Sequence, residues 1–237
     1  MIKLDIVLPC YNPLADWSER VVTAFKDIEK ALPNVALYLY VVNDGSLKNV
    51  EGKHIEFLKQ AIPNFRFVTY ETNQGKGYAL RKGIAETQNN WCIYTDIDFP
   101  YTEASFLAIY KALTKNQADI VVGKRETSYY KNVPLLRIWI SKSLKWFIKN
   151  LLRLPITDTQ CGLKGFNKKG KAIFLKTEIN RYLFDLEFVF LAARVKTITL
   201  KPVIVQLKPG IVFSTMSFKI LSQEGWSFLK IFVKSWF

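Results

Sequence analysis

Four short apolar runs, each closed by a polar loop, set the limits on what this chain of 237 residues can fold into. Leu4-Asp5-Ile6-Val7-Leu8 leads into Pro9-Cys10-Tyr11-Asn12, and Val35 to Val42 leads into Asn43-Asp44-Gly45-Ser46. Phe65 to Tyr70 precedes Asn73-Gln74-Gly75-Lys76-Gly77, and Trp91-Cys92-Ile93-Tyr94-Thr95 opens directly on Asp96-Ile97-Asp98. Runs this apolar and this short read as strands, and Val35 to Val42 is apolar enough to be buried on both faces, as parallel sheets require. Between them the period is helical. Val21, Val22, Phe25, Ile28 and Leu32 recur at three- and four-residue steps within 16–32, and helices are predicted over 51–61, 78–87 and 103–114. Ile120-Val121-Val122 is a further short strand. The alternation predicts an α/β fold with a mostly parallel central sheet flanked by helices. In an open α/β sheet the loops at the carboxyl ends of the strands line the ligand crevice. Four polar loops are therefore expected to meet at one edge.

The loop with the sharpest chemistry is Asp96-Ile97-Asp98. Residues two apart on an extended chain point to the same side, so two carboxylates are expected to converge where the strand opens. Hard oxygen donors with open positions beside them suit Mg²⁺ or Mn²⁺ on a nucleotide diphosphate. The plainer alternative is a solvated turn, or a cap for the helix beginning near Thr102. Asp44 can accept from a base N–H or a ribose hydroxyl, or close an Asx-turn helped by Gly45. Gly75 and Gly77 allow close approach of backbone to a ligand, or mark an ordinary loop-to-helix junction. Lys76 could neutralise phosphate, and the helix beginning near Tyr78 is expected to offer free N–H groups to an anion. Neither G-x-x-x-x-G-K-[ST] nor G-x-G-x-x-G occurs, which excludes those two nucleotide-binding loops.

Together these pieces resemble family 2 inverting glycosyltransferases with the GT-A nucleotide-sugar-binding fold, and more narrowly the polyprenyl- or dolichyl-phosphate glucose and mannose synthases. The run Asp158-Thr159-Gln160-Cys161-Gly162 completes the set of five motifs, and the resemblance covers about residues 4–206. It implies that Pro9, Tyr11, Asn12 and Asp44 hold the base and ribose, with Gly75 and Lys76 also at the nucleotide sugar. Asp96 and Asp98 would hold the metal, with Asp98 the more direct ligand, and Asp158, Gln160 and the Cys161-Gly162 turn would lie near the sugar and the reacting phosphate. Asp185 and Glu187 resemble a further acidic pair near the donor sugar, unless they cap or line the apolar helix around them. Two arginines and a serine, matched by Arg125, Arg137 and Ser141, would bind the acceptor phosphate; the alternative is unpartnered surface arginines. UDP-glucose is favoured over GDP-mannose as donor, with polyprenyl phosphate as acceptor. A glycan-directed enzyme of the same fold is the alternative.

The charge balance, 34 basic against 20 acidic residues, calls for a polyanionic partner if it is concentrated. It is partly concentrated. Lys142, Lys145, Lys149 and Arg153 form a stripe beside Trp139, Ile140, Leu144, Phe147, Ile148 and Leu151, the pattern of an interfacial helix on anionic lipid. A core helix with a basic edge is the alternative. A catalytic domain is expected over 1–206, followed over 207–237 by an amphipathic membrane-associating segment rich in Trp, Phe and Lys. No run is long and apolar enough to cross a bilayer. The expectation is a peripheral protein on the cytoplasmic face of a membrane. A nucleic-acid module would leave the carboxylate loops unexplained. Cys10, Cys92 and Cys161 lack metal-type spacing and read as reduced thiols. His54, in a Lys/Glu-rich stretch, is expected on the surface.

Overall fold

The computed structural model describes residues 2–115, 117–126 and 135–210, together with Phe228 and Ile231. The described elements run β1 (Ile2–Cys10), α1 (Trp17–Ala31), β2 (Val35–Asp44), α2 (Gly52–Ala61), β3 (Phe65–Tyr70), α3 (Lys76–Glu86), β4 (Trp91–Tyr94) and α4 (Glu103–Thr114). They continue with β5 (Ile120–Arg125), α5 (Leu135–Asn150), β6 (Lys164–Asn167), α6 (Lys168–Phe174), α7 (Phe184–Ala193) and β7 (Leu200–Val205). The sheet order is β3-β2-β1-β4-β6-β5-β7. Pairings β1–β2, β1–β4, β2–β3 and β5–β7 are parallel, whereas β6 runs antiparallel to both β4 and β5.

Two apolar layers cover the sheet. Leu4, Ile6 and Leu8 of β1 pack with Val21, Phe25 and Ile28 of α1 and Phe106, Ile109 and Leu113 of α4. Val7 points the other way, against Ala79, Leu80 and Ile84 of α3 and the aromatic layer of α6 and α7. Alternate residues of one strand thus serve opposite layers, which is why β1 reads as a continuous apolar run. The second layer is tied by Phe174 and Phe188, edge to face with centroids 4.9 Å apart.

Local signals explain some boundaries. Thr102 caps α4 by accepting from the Ser105 N–H at 3.3 Å. His54 departs from expectation. It is buried (7% exposed), and its Nδ1 accepts from the Glu51 N–H at 3.2 Å, closing the first turn of α2. Its ring lies 5.8 Å from that of Trp17, so it belongs to the packing between α1 and α2. All three cysteines are buried, and none is in a disulfide. The 207–237 segment is described at 207–210, where Leu207 bridges Tyr101, and at Phe228 and Ile231. The amphipathic helices expected beyond that lie outside the described residues. Among the described residues no helix is long and apolar enough to cross a membrane.

Candidate active site

The carboxyl ends of β1, β2 and β4 lie side by side, and their loops meet as expected. Asp96 and Asp98 do not sit on an extended strand, however. β4 ends at Tyr94, and the chain turns, with the Phe99 N–H donating to the Asp96 carbonyl at 3.0 Å. The two carboxylates are brought together by that turn rather than by strand alternation. Asp96 is half-buried, and its Oδ1 is ion-paired with Lys76 Nζ. A Cβ added at Gly162 would lie 2.5 Å from Asp96 Oδ2, so only glycine lets the 158–162 turn approach this closely. Asp98 is exposed at the rim. Desolvation by the loop walls, with the Asp96 charge beside it, raises its pKa. Among the described residues no third carboxylate, histidine or cysteine joins the pair to make a metal cluster. Two hard oxygens at a rim fit a divalent cation that completes its shell with water and phosphate oxygens.

The nucleotide side is a set of interlocked loops. Asn12, at φ +45°, accepts on Oδ1 from the Leu47 and Lys48 N–H groups at 2.8 and 3.2 Å. This staples the Pro9–Asn12 loop to the 45–48 loop and leaves Tyr11 49% exposed on top. Asp44 is more occupied than a free ligand group would be. Its carboxylate accepts from Tyr70 Oη (2.8 Å), Asn73 Nδ2 (2.8 Å), Gln74 N–H (2.7 Å) and Gly75 N–H (2.9 Å). The turn after β2 is closed by Asn43, whose Oδ1 accepts from the Ser46 N–H at 3.1 Å, and Asp44 instead ties the end of β2 to the 70–75 loop. Gly75 takes φ +104°, a conformation that side chains rarely adopt. The expected free N–H groups of α3 are a correction. The helix begins at Lys76, and its Gly77 and Tyr78 N–H groups donate to the Asn180 carbonyl at 2.7 and 3.3 Å. Arg81 secures that carbonyl's segment through Ile179 O at 2.8 Å and through Asn180 Oδ1.

Deeper in the crevice, Asp158 and Arg125 meet. The Arg125 backbone N–H donates to Oδ2 at 2.8 Å and its Nη2 to Oδ1 at 2.5 Å, while Lys145 Nζ stands 3.7 Å from Oδ1. Arg125, expected at an acceptor phosphate, is thus committed at least in part to Asp158. Burial would raise the Asp158 pKa, but the Arg125 bonds and charge outweigh it and hold the pKa below the usual value. The sign follows: the stabilisation is present above the ordinary aspartate pKa and lost as pH falls through the lowered one. Asp158→Asn is expected to reduce stability at pH 7 by about 1–3 kcal/mol. The gap to the parent should close in thermal melts below about pH 3.9.

Gln160 is half-buried, with an Nε2 atom that is buried and has no hydrogen-bond partner. Asp185 is buried in the first turn of α7, where its Oδ1 accepts from Tyr94 Oη at 2.6 Å and pairs with Lys164. Lys164 is fully buried, and it also donates to the Cys161 carbonyl at 2.5 Å, tying the 158–162 turn to α7. Glu187 accepts from the Glu178 and Ile179 N–H groups, both at 2.8 Å, so it orders the segment that caps α3. Of the acceptor residues, Arg137 and Ser141 fall on α5, but their side chains lie outside the described residues. Lys164, Tyr94, Arg81 and Asn180 were not singled out from the sequence.

Residues 5–172 match the sequence profile described as Glycosyl transferase family 2. The chain belongs to that family. This family 2 member is 26% identical over 205 residues to a dolichyl-phosphate beta-glucosyltransferase of Dictyostelium discoideum, covering 81% of this chain and 63% of that one. It is 27% identical over 213 residues to the Homo sapiens dolichyl-phosphate beta-glucosyltransferase, covering 80% and 63%. It therefore spans less than two thirds of the length of these relatives. Among solved structures it superposes on glucosyl-3-phosphoglycerate synthase of Mycobacterium tuberculosis, in complex with Mn²⁺, uridine diphosphate and phosphoglyceric acid. The TM-score is 0.60 at 13% identity, covering 99% of this chain and 78% of that one. Mannosyl-3-phosphoglycerate synthase of Rubrobacter xylanophilus gives 0.64 at 13% identity, covering 98% and 73%. These likenesses place the fold in the GT-A class.

Proposed function

We propose that this family 2 member transfers glucose from UDP-glucose to a polyprenyl phosphate of the dolichyl type, with Mg²⁺ or Mn²⁺ at Asp96 and Asp98. The observation that carries the reading is the pair of carboxylates on one turn, with Lys76 on one side and Gly162 packed closely against Asp96 on the other. Such a slot suits a diphosphate that arrives with a cation. The sugar and acceptor follow from the resemblance to dolichyl-phosphate beta-glucosyltransferases over four fifths of the chain.

The state of the buried acids supports a phosphate acceptor over a sugar hydroxyl. A hydroxyl acceptor requires a carboxylate that can take its proton. Arg125 engages both oxygens of Asp158 and lowers its affinity for a proton, and Asp185 is bonded to both Lys164 and Tyr94, so neither suits that task. A phosphate monoester has a second pKa near about 6 and attacks as a dianion without a base. A bound divalent cation would offset the charge that builds on the departing nucleoside diphosphate. Lys76 would bear on the same oxygens, and the Asp158–Gly162 turn would set the sugar so that attack comes from the far face, inverting the anomeric carbon. Tyr11 and the staple from Asn12 to Leu47 and Lys48 would carry the base and ribose. Arg137 and Ser141 would hold the acceptor phosphate.

The lipid acceptor implies a membrane surface. On α5, Lys142, Trp146, Phe147 and Lys149 are exposed, with Leu151 just beyond, while Ile148 faces inward. That arrangement supports interfacial attachment of α5, and we extend the proposal to the 207–237 segment and to a cytoplasmic leaflet. The test is transfer of radiolabel from UDP-glucose to polyprenyl phosphate in detergent with Mn²⁺. Label should enter the organic phase as a β-linked product. Label from GDP-mannose alone would overturn the sugar, and no lipid-linked label from any nucleotide sugar would overturn the acceptor.

A further inference from the structure

Lys76 is the first residue of α3, and its surroundings leave it little freedom. The preceding Gly75 N–H is held by Asp44 Oδ2 at 2.9 Å, and the following Gly77 N–H by the Asn180 carbonyl at 2.7 Å. The side chain leaves this clamped junction toward Asp96 and pairs with Oδ1, while Oδ2 faces Gly162. Asp98, two residues along, has no basic side chain within ion-pair distance among the described residues. The two carboxylates are unequally compensated: Asp96 carries a paired cation, whereas Asp98 feels Lys76 and Lys208 only from beyond ion-pair distance.

The geometry points to Lys76 as a built-in counter-ion. It holds Asp96 when no divalent cation is bound, and moves from Asp96 onto the diphosphate when a divalent cation and a nucleoside diphosphate bind together. This rests on the reading of Asp96 and Asp98 as the cation site. A dication and an ammonium repel strongly at adjoining positions in a partly buried site. A cation arriving alone must therefore evict Lys76 with nothing to receive it. A cation arriving with diphosphate supplies that receiver. Each ligand then raises the affinity for the other by the same factor. The site would not fill with metal in the absence of donor substrate.

The test is Mn²⁺ titration of the full chain, following the free-ion paramagnetic resonance signal with and without uridine diphosphate. Lys76→Met and Lys76→Gln are compared with the parent, and circular dichroism checks their folding. Without nucleotide, both variants should bind Mn²⁺ about tenfold tighter than the parent. The gain in Mn²⁺ affinity on adding uridine diphosphate should shrink in both. Either variant suffices if the other fails to fold. Unchanged or weaker Mn²⁺ binding without nucleotide, in a parent that still retains Mn²⁺ with uridine diphosphate, overturns the counter-ion role and leaves the metal site standing. A parent that retains no Mn²⁺ even with the nucleotide overturns both.

Discussion

Asp98→Ala is expected to lower sugar transfer about a thousandfold, roughly 4 kcal/mol of transition-state stabilisation, while the protein stays folded. The two halves of that result have separate causes. Asp98 stands exposed at the rim, and its raised pKa records a carboxylate that is slightly disfavoured where it is. Removing it takes away repulsion with Asp96, so stability should stay within about 0.5 kcal/mol of the parent. The loss of rate comes from the missing ligand to the cation. Steady-state transfer assays together with thermal melts check both halves. Full transfer by the variant, with a chelator present, would defeat the metal assignment.

Asp185→Ala is expected to act in the opposite way, through the fold first. Lys164 is fully buried, and its ammonium is balanced by Asp185. Truncating one partner of a buried pair leaves an uncompensated charge, which costs about 3–5 kcal/mol. For a domain of this size that corresponds to a fall in Tm of roughly 10 °C. Replacing Lys164 by Met in the same background removes the stranded charge and should recover much of the loss, because buried pairs exchange for apolar packing at little net cost. The double variant separates two roles for Asp185. If the carboxylate also faces the donor sugar, as the family resemblance implies, the double variant is stable and inactive. Recovery of transfer along with stability would make Asp185 purely structural. The measurement is a thermal melt and an assay on the same three proteins.

These two residues also show how far the sequence could be read. The parallel strands β1, β2 and β4 were legible because they are largely buried on both faces, and β3, half-exposed at the sheet edge, because turn chemistry closes its loop. The α4 boundaries, Glu103–Thr114, fall where its apolar period and Thr102 cap place them. The antiparallel strand β6 was not legible. Its four residues are Lys-Gly-Phe-Asn, with a charged residue at a fully buried position, and they carry no alternation to read. Helix α7 is buried on nearly every side, so its apolar residues show no stripe. β7 contains Pro202, which is tolerated there because the strand lies at the sheet edge.

The same gap governs the site. Asp96, Asp98, Asp44 and Lys76 were legible from loop position and residue type. Their partners were not, because Lys164 reaches Asp185 across 21 residues and Arg81 reaches Asn180 across 99. Those pairs depend on how β6 and α7 cross beneath the loops, and one chain's periodicity does not encode that crossing. For this reason the two backbone bonds by which Glu187 orders the segment that caps α3 could not be read, and α3 looked open to an anion and proves to be capped.

The proposed function rests on a cation between the Asp96–Asp98 turn and a nucleoside diphosphate. A crystal of the full chain grown with uridine diphosphate and Mn²⁺, with the metal located by anomalous scattering, tests it most directly. The predicted result is a single Mn²⁺ peak within coordination distance of Asp98 and of diphosphate oxygens, with Lys76 turned from Asp96 to the phosphate. A Mn²⁺ peak away from this turn, or bound diphosphate with no peak beside Asp98, would contradict it.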